Sequence, residues 1–87
     1  MEQYVDVSNL EPPEPMEVIL DAIADLSPGD YLKVMHRRNP VPLYRMLHDM
    51  GYEYAMHNPA PEQFEIFIWP KDMAPPIGAT PSTGNIV

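Results

Sequence analysis

Lys33, Arg37, Arg38 and Arg45 are four of the five basic residues in a chain of 87, and no acid stands between Tyr31 and His48. Elsewhere thirteen acids face Lys71 alone. Guanidinium groups this close together favour an anion, because each offers a planar fork of N–H donors matched to carboxylate or phosphate oxygens. His36 and His48 lie in the same island. The candidate ligand set for an anion is His36, Arg37, Arg38, Tyr44 and Arg45, with Glu14 at the head of a neighbouring helix. The competing reading pairs the arginines with Glu11, Glu14 and Glu17 and neutralises them, as happens to many surface charge clusters. His36 follows Val34 on the same side of a strand, so its ring is expected to face the helix rim. It suits either an acid/base or ligand role or a hydrogen bond that pins the loop. A nearby carboxylate such as Glu11 or Glu14 would raise its pKa, and burial would lower it.

Other chemistry is poorly supplied. There are no cysteines, which removes disulfides, thiolate metal sites and a cysteine nucleophile. The spacing of His36, His48 and His57 matches no metal-ligand motif, so no metal or cofactor is expected. No Ser-His-Asp set, phosphate-cradling glycine loop or nucleotide fingerprint is present. Glu14, Glu17, Asp21 and Asp25 form a stripe along one helix, most simply a solvated face. A net charge of −8 and a pI near 4.5 disfavour nucleic acid and anionic membranes.

The elements that must position these residues are marked out by proline and glycine. Tyr4 to Val7 alternates as a short strand. Met16, Ile19, Leu20, Ile23 and Leu26 recur at helical spacing, with Pro13 or Pro15 suited to the first turn. Ser27-Pro28-Gly29-Asp30 ends that helix. Tyr31 to His36 is a second strand. Pro42 opens a shorter helix through Leu43, Met46, Leu47 and Met50, and Gly51 ends it. Tyr52 to His57 and Gln63 to Trp69 are two further strands, joined by a loop too proline-rich for a two-residue turn. Residues 1–70 form one domain, and 71–87 are expected to be a disordered tail, unless they fold back over the sheet. The order β-α-β-α-β-β predicts a two-layer α/β (α+β) sandwich. Right-handed crossovers place both helices on one face of a four-stranded mixed sheet.

Alternation then sorts the strand residues. Leu32, Val34, Tyr54, Met56, Phe64, Ile66 and Ile68 face the helices. Tyr31, Met35, Phe67 and Trp69 face away, an apolar set that suggests a protein partner or a second copy unless Lys33, Glu65 or the tail covers it.

Asn9-Leu10-Glu11-Pro12-Pro13-Glu14-Pro15-Met16, together with Ser27-Pro28-Gly29-Asp30, resembles the TusA-like (SirA-like) sulfur-carrier family over about residues 4 to 70. Pro13 and Pro15 match the two prolines of the family's Cys-Pro-x-Pro motif, and Pro12 stands where its cysteine would be. His36-Arg37-Arg38-Asn39-Pro40-Val41-Pro42-Leu43-Tyr44 resembles the signature of an uncharacterised, cysteine-lacking branch, apart from Asn39, where an acid is more usual. The resemblance implies the sheet order 1-2-4-3. It does not imply sulfur transfer, because a proline has no thiolate. The expectation is a non-enzymatic binding or adaptor module. It would use the His36-Arg37-Arg38 rim for an anionic small molecule or acidic partner, and the sheet face for a protein. The resemblance also suggests an alternative, an accessory role in metal, haem or nitrogen-oxide metabolism. No basic leader or apolar span opens the chain, so a cytoplasmic monomer or weak homodimer is expected.

Overall fold

The computed structural model describes residues 1–79. Its elements are β1 (Glu2–Asp6), α1 (Glu14–Ala24), β2 (Tyr31–His36), α2 (Val41–Met50), β3 (Tyr52–Ala60) and β4 (Gln63–Pro70). The sheet order is β1-β2-β4-β3, with β1 parallel to β2 and the other pairs antiparallel. The expected architecture and strand order are both present. β1 begins two residues earlier than alternation indicates, because Glu2 pairs with Tyr31 in the parallel ladder. Val7 lies just past the strand, buried, and its N–H still donates to the Met35 carbonyl at 2.9 Å.

One apolar layer holds the helices to the sheet. Ile19 and Ile23 of α1 and Leu43 and Leu47 of α2 meet Leu32 and Val34 of β2 and Ile66 and Ile68 of β4, all buried. Each side chain contributes roughly 2 kcal/mol by leaving water. Both helices start on proline: Pro13 caps α1 with Pro15 inside its first turn, and Pro40 caps α2 with Pro42 inside its own. α2 stops at Gly51, whose φ of 86° is left-handed backbone that a side chain disfavours.

The β3–β4 connection differs from expectation. Ala60 pairs directly with Gln63, so the turn is only Pro61-Glu62, and Glu62 adopts a positive φ of 61°. The prolines are tolerated because β3 is an edge strand and carries a bulge between His57 and Ala60. Pro59 lies in that bulge, where no ladder N–H is required. The Asn58 side-chain amide donates to the carbonyls of Ala60 at 2.7 Å and Gln63 at 2.8 Å, holding the bulged segment.

The far face of the sheet is not open. Tyr31, Met35, Phe67 and Trp69 do lie on the side away from the helices, but Phe67 and Trp69 are only 5 % and 6 % exposed. The chain turns back after Pro70: Lys71 N–H donates to the Gly51 carbonyl at 3.0 Å, and Ala79 N–H to that of Pro76 at 3.0 Å. Ala79 is fully buried, and it packs with Met73, Tyr31, Ala55, Phe67 and Trp69 in a second apolar cluster. Lys33 reaches over Phe67, its Nζ 5.5 Å from the ring centre. The partner face expected at Tyr31, Met35, Phe67 and Trp69 is therefore largely covered by the chain itself, and the folded part runs on through Ala79. Residues 80–87 of the expected tail lie outside the described residues.

Candidate anion-binding site

The basic island is at the end of β2 and in the loop 37–40 before α2, beside the start of α1. Two shallow cavities meet there, and Arg38 lines both. The first, of about 400 Å³, is polar, with Glu11, Arg37, Arg38 and Glu62 around it. The second, of about 330 Å³, is a cleft between the two helix starts. Its walls are Pro12, Pro13 and Pro15 on one side and Pro40 and Pro42 on the other, with Met16 and Ile19 beneath; its polar side chains are His36, Arg38 and Asn39.

The two arginines separate in role. The Arg37 guanidinium donates to Glu11 Oε2 at 2.9 Å, an ion pair that is partly solvated on both sides. That neutralises one charge of the island, as the competing reading of the sequence anticipates. Arg38 has no such acceptor among the described residues, and its guanidinium stays available to the cleft. Glu14 and Arg45 are exposed and line neither cavity. Tyr44 lines neither cavity, but it governs a residue that does.

That residue is Asn39, which sequence reasoning passes over. The Tyr44 hydroxyl donates to Asn39 Oδ1 at 2.6 Å, while the Tyr44 ring stacks on Tyr54 at 4.1 Å between centres. Burial, with the nearby Tyr54 phenol adding to it, pushes the Tyr44 pKa up to about 12. Tyr44 therefore remains a donor at any physiological pH. The Tyr44 contact fixes which end of the Asn39 amide is the acceptor, and the NH₂ at the other end has no protein partner among the described residues.

His36 is treated in the same way by its neighbours. It is 9 % exposed, and its Nδ1 accepts the backbone N–H of Arg38 at 3.1 Å. A ring nitrogen that accepts a hydrogen bond is unprotonated, so the neutral ring carries its proton on Nε2. Nε2 has no protein partner among the described residues. Burial lowers the His36 pKa below its ordinary 6.5, and the charges of Arg37 and Arg38 lower it further. The carboxylates expected to raise it do not dominate.

The helix starts supply less than their dipoles suggest. Val41 and Leu43 N–H groups are taken by the carbonyls of Asn39 at 2.8 Å and Pro40 at 2.9 Å, and Pro42 has no N–H. In α1, Glu14 N–H goes to Glu11 and Glu17 N–H to Pro13, and Pro15 has none. Met16 N–H is left without a partner among the described residues, on a residue that lines the cleft. The prolines, legible at once in the sequence, carry this signal: they remove N–H donors and build apolar walls. Among the described residues, no three His, Asp or Glu side chains converge as metal ligands would, and no helix is long and apolar enough to cross a membrane.

The model of one protein family, described as "Uncharacterized conserved protein (DUF2249)", matches residues 4–70. The chain belongs to that family. The matched stretch begins at Tyr4 in β1 and ends with β4 at Pro70, so the DUF2249 unit contains both helix starts, His36 to Asn39 and every residue lining the cleft. It does not include the 71–79 segment over Phe67 and Trp69. Neither the comparison with curated proteins nor that with solved structures found a match.

Proposed function

We propose that this chain is a non-enzymatic binding module that takes a small anionic ligand in the cleft between the starts of α1 and α2. One observation carries the reading. Each polar side chain lining the cleft keeps a donor without a protein acceptor among the described residues: His36 Nε2–H, since Nδ1 accepts from Arg38, the Asn39 NH₂, since Oδ1 accepts from Tyr44, and the Arg38 guanidinium. The Met16 thioether is the exception, a weak acceptor. Donors on the residues lining an apolar hollow favour an oxyanion, and hydrogen bonds to a charged acceptor are about twice as strong as neutral ones.

The same constraints argue against catalysis. His36 already holds a proton on Nε2. Protonating Nδ1 would place two donors face to face and charge a buried ring, so His36 is a poor general base. Among the described residues lining the cleft with it there is no Ser, Thr, Cys or Lys to act as a nucleophile. Pro12, at the position that resembles a sulfur carrier's cysteine, is a wall of the cleft; this supports a carrier-like scaffold turned to binding.

The test is an acetate titration followed by amide chemical shifts. Met16, Arg38 and Asn39 are expected to respond first and to saturate together. Arg38→Gln is expected to weaken binding at least about tenfold, the scale of one charge-assisted hydrogen bond, while Arg37→Gln leaves it within about twofold, since that charge is already paired with Glu11. Equal loss from both variants would return the site to a diffuse basic surface.

A further inference from the structure

The charges and walls of the cleft narrow the class of anion. Arg37 is balanced by Glu11, and His36 is neutral in the tautomer its Nδ1 contact imposes. Among the described residues that line the cleft, Arg38 is then the one cation without an acidic partner, and Glu62 lines the adjoining cavity with it. The chain as a whole carries a net charge of −8. A first negative charge on a ligand finds Arg38; a second finds no further unpaired cation among the described lining residues, and a repulsive surrounding field. The walls say something different. Five proline rings with Met16 and Ile19 line this shallow cleft of about 330 Å³, at the small end of the volumes that hold organic ligands. Inorganic ions would leave that apolar surface unused.

We propose that the cleft takes a monoanionic carboxylate with a compact apolar body, its oxygens on Arg38, Asn39 and His36 Nε2 and its body against the proline walls. This rests on the cleft being the anion site. It places multivalent oxyanions such as sulfate or phosphate among the poorer ligands, although a basic island by itself suggests the reverse. A carboxylate has two oxygens to share among the donors, and the body supplies the area-dependent part of the affinity.

The experiment is a shift-perturbation series on the full chain with acetate, 3-methylbutanoate, benzoate and sulfate at constant ionic strength. Benzoate or 3-methylbutanoate is expected to bind about tenfold or more tightly than acetate, and sulfate more weakly than acetate, all at Met16, Arg38 and Asn39. Met16→Asn, beneath the cleft, is expected to weaken benzoate more than acetate and so to reduce the benzoate advantage; an unchanged benzoate advantage in a folded variant would overturn the assignment of the apolar body to this surface. Should that variant not fold, the wild-type series alone still decides. Sulfate binding as tightly as benzoate, or acetate equalling it, overturns this inference while leaving an anion site in place. No response from any of the four at the cleft removes the anion reading and this inference with it.

Discussion

His36 is where small contacts decide the chemistry. Its burial and the flanking arginines favour the neutral ring, so its folded-state pKa lies below the unfolded value. Stability that depends on this neutral ring is complete above about pH 6.5 and is lost as pH falls from there through the lower folded value, because the unfolded chain takes up the proton first. Urea midpoints of wild type and His36→Gln at about pH 7.5 and 5.5 are expected to show the steeper acid loss in the wild type. Parallel loss in both would mean that the ring titrates as if in water. Tyr44→Phe makes a second prediction. It frees Asn39 Oδ1 and costs about 1 kcal/mol for the lost hydrogen bond, and it weakens acetate binding without touching the cleft wall. Unchanged acetate binding in a folded Tyr44→Phe would show that Asn39 does not take part. Alternation along β2 shows that His36 turns toward the helices, and proximity shows the arginines. Which arginine is paired was not legible, because Glu11 is 26 residues from Arg37 and only the fold brings them together. Asn39 was overlooked for a similar reason: its role comes from the hydroxyl of Tyr44, five residues on.

At the scale of elements, both helices and β2 follow from apolar spacing and proline placement, since local pattern and burial agree there. The pattern gave less guidance where the chain meets its own far surface. Prolines in 58–62 suggest a long loop, but β3 is an edge strand whose bulge accepts Pro59 while the ladder closes at Ala60 and Gln63. Glu62 holds the strained position of this turn. Glu62→Gly is expected to raise stability by up to about 1 kcal/mol, the left-handed penalty it removes, measured as a shift in urea midpoint; a lower midpoint would mean the carboxylate makes a contact worth more than the strain. The segment 71–79 has little periodicity, and a few residues cover the face: Met73 and Ala79, with Gly78 close to the Phe67 ring. Ending the chain at Pro70 would bare Phe67 and Trp69 and is expected to cost about 2–3 kcal/mol, the scale of one large apolar side chain. It would also shift Trp69 emission to the red. An unchanged midpoint and emission would mean that the segment adds no protection.

For the whole molecule, charge distribution and site are linked. In an acidic chain whose cleft has, among the described residues, one arginine without an acidic partner, the proposed site is expected to select ligands by charge number as well as by shape. Affinity for acetate is expected to fall only modestly with added salt, because a single charge pair is screened; a steep dependence would indicate several cations acting together, Arg37 included. The proposed site depends above all on a neutral His36 that faces the ligand as a donor. The most direct measurement is the ring nitrogen spectrum of His36 at about pH 7.5, free and with acetate. A proton on Nε2 alone is expected, with Nδ1 unprotonated, and a shift of the Nε2 resonance that follows acetate saturation. A proton on Nδ1, or an Nε2 resonance indifferent to acetate while Arg38 responds, would contradict the proposed site.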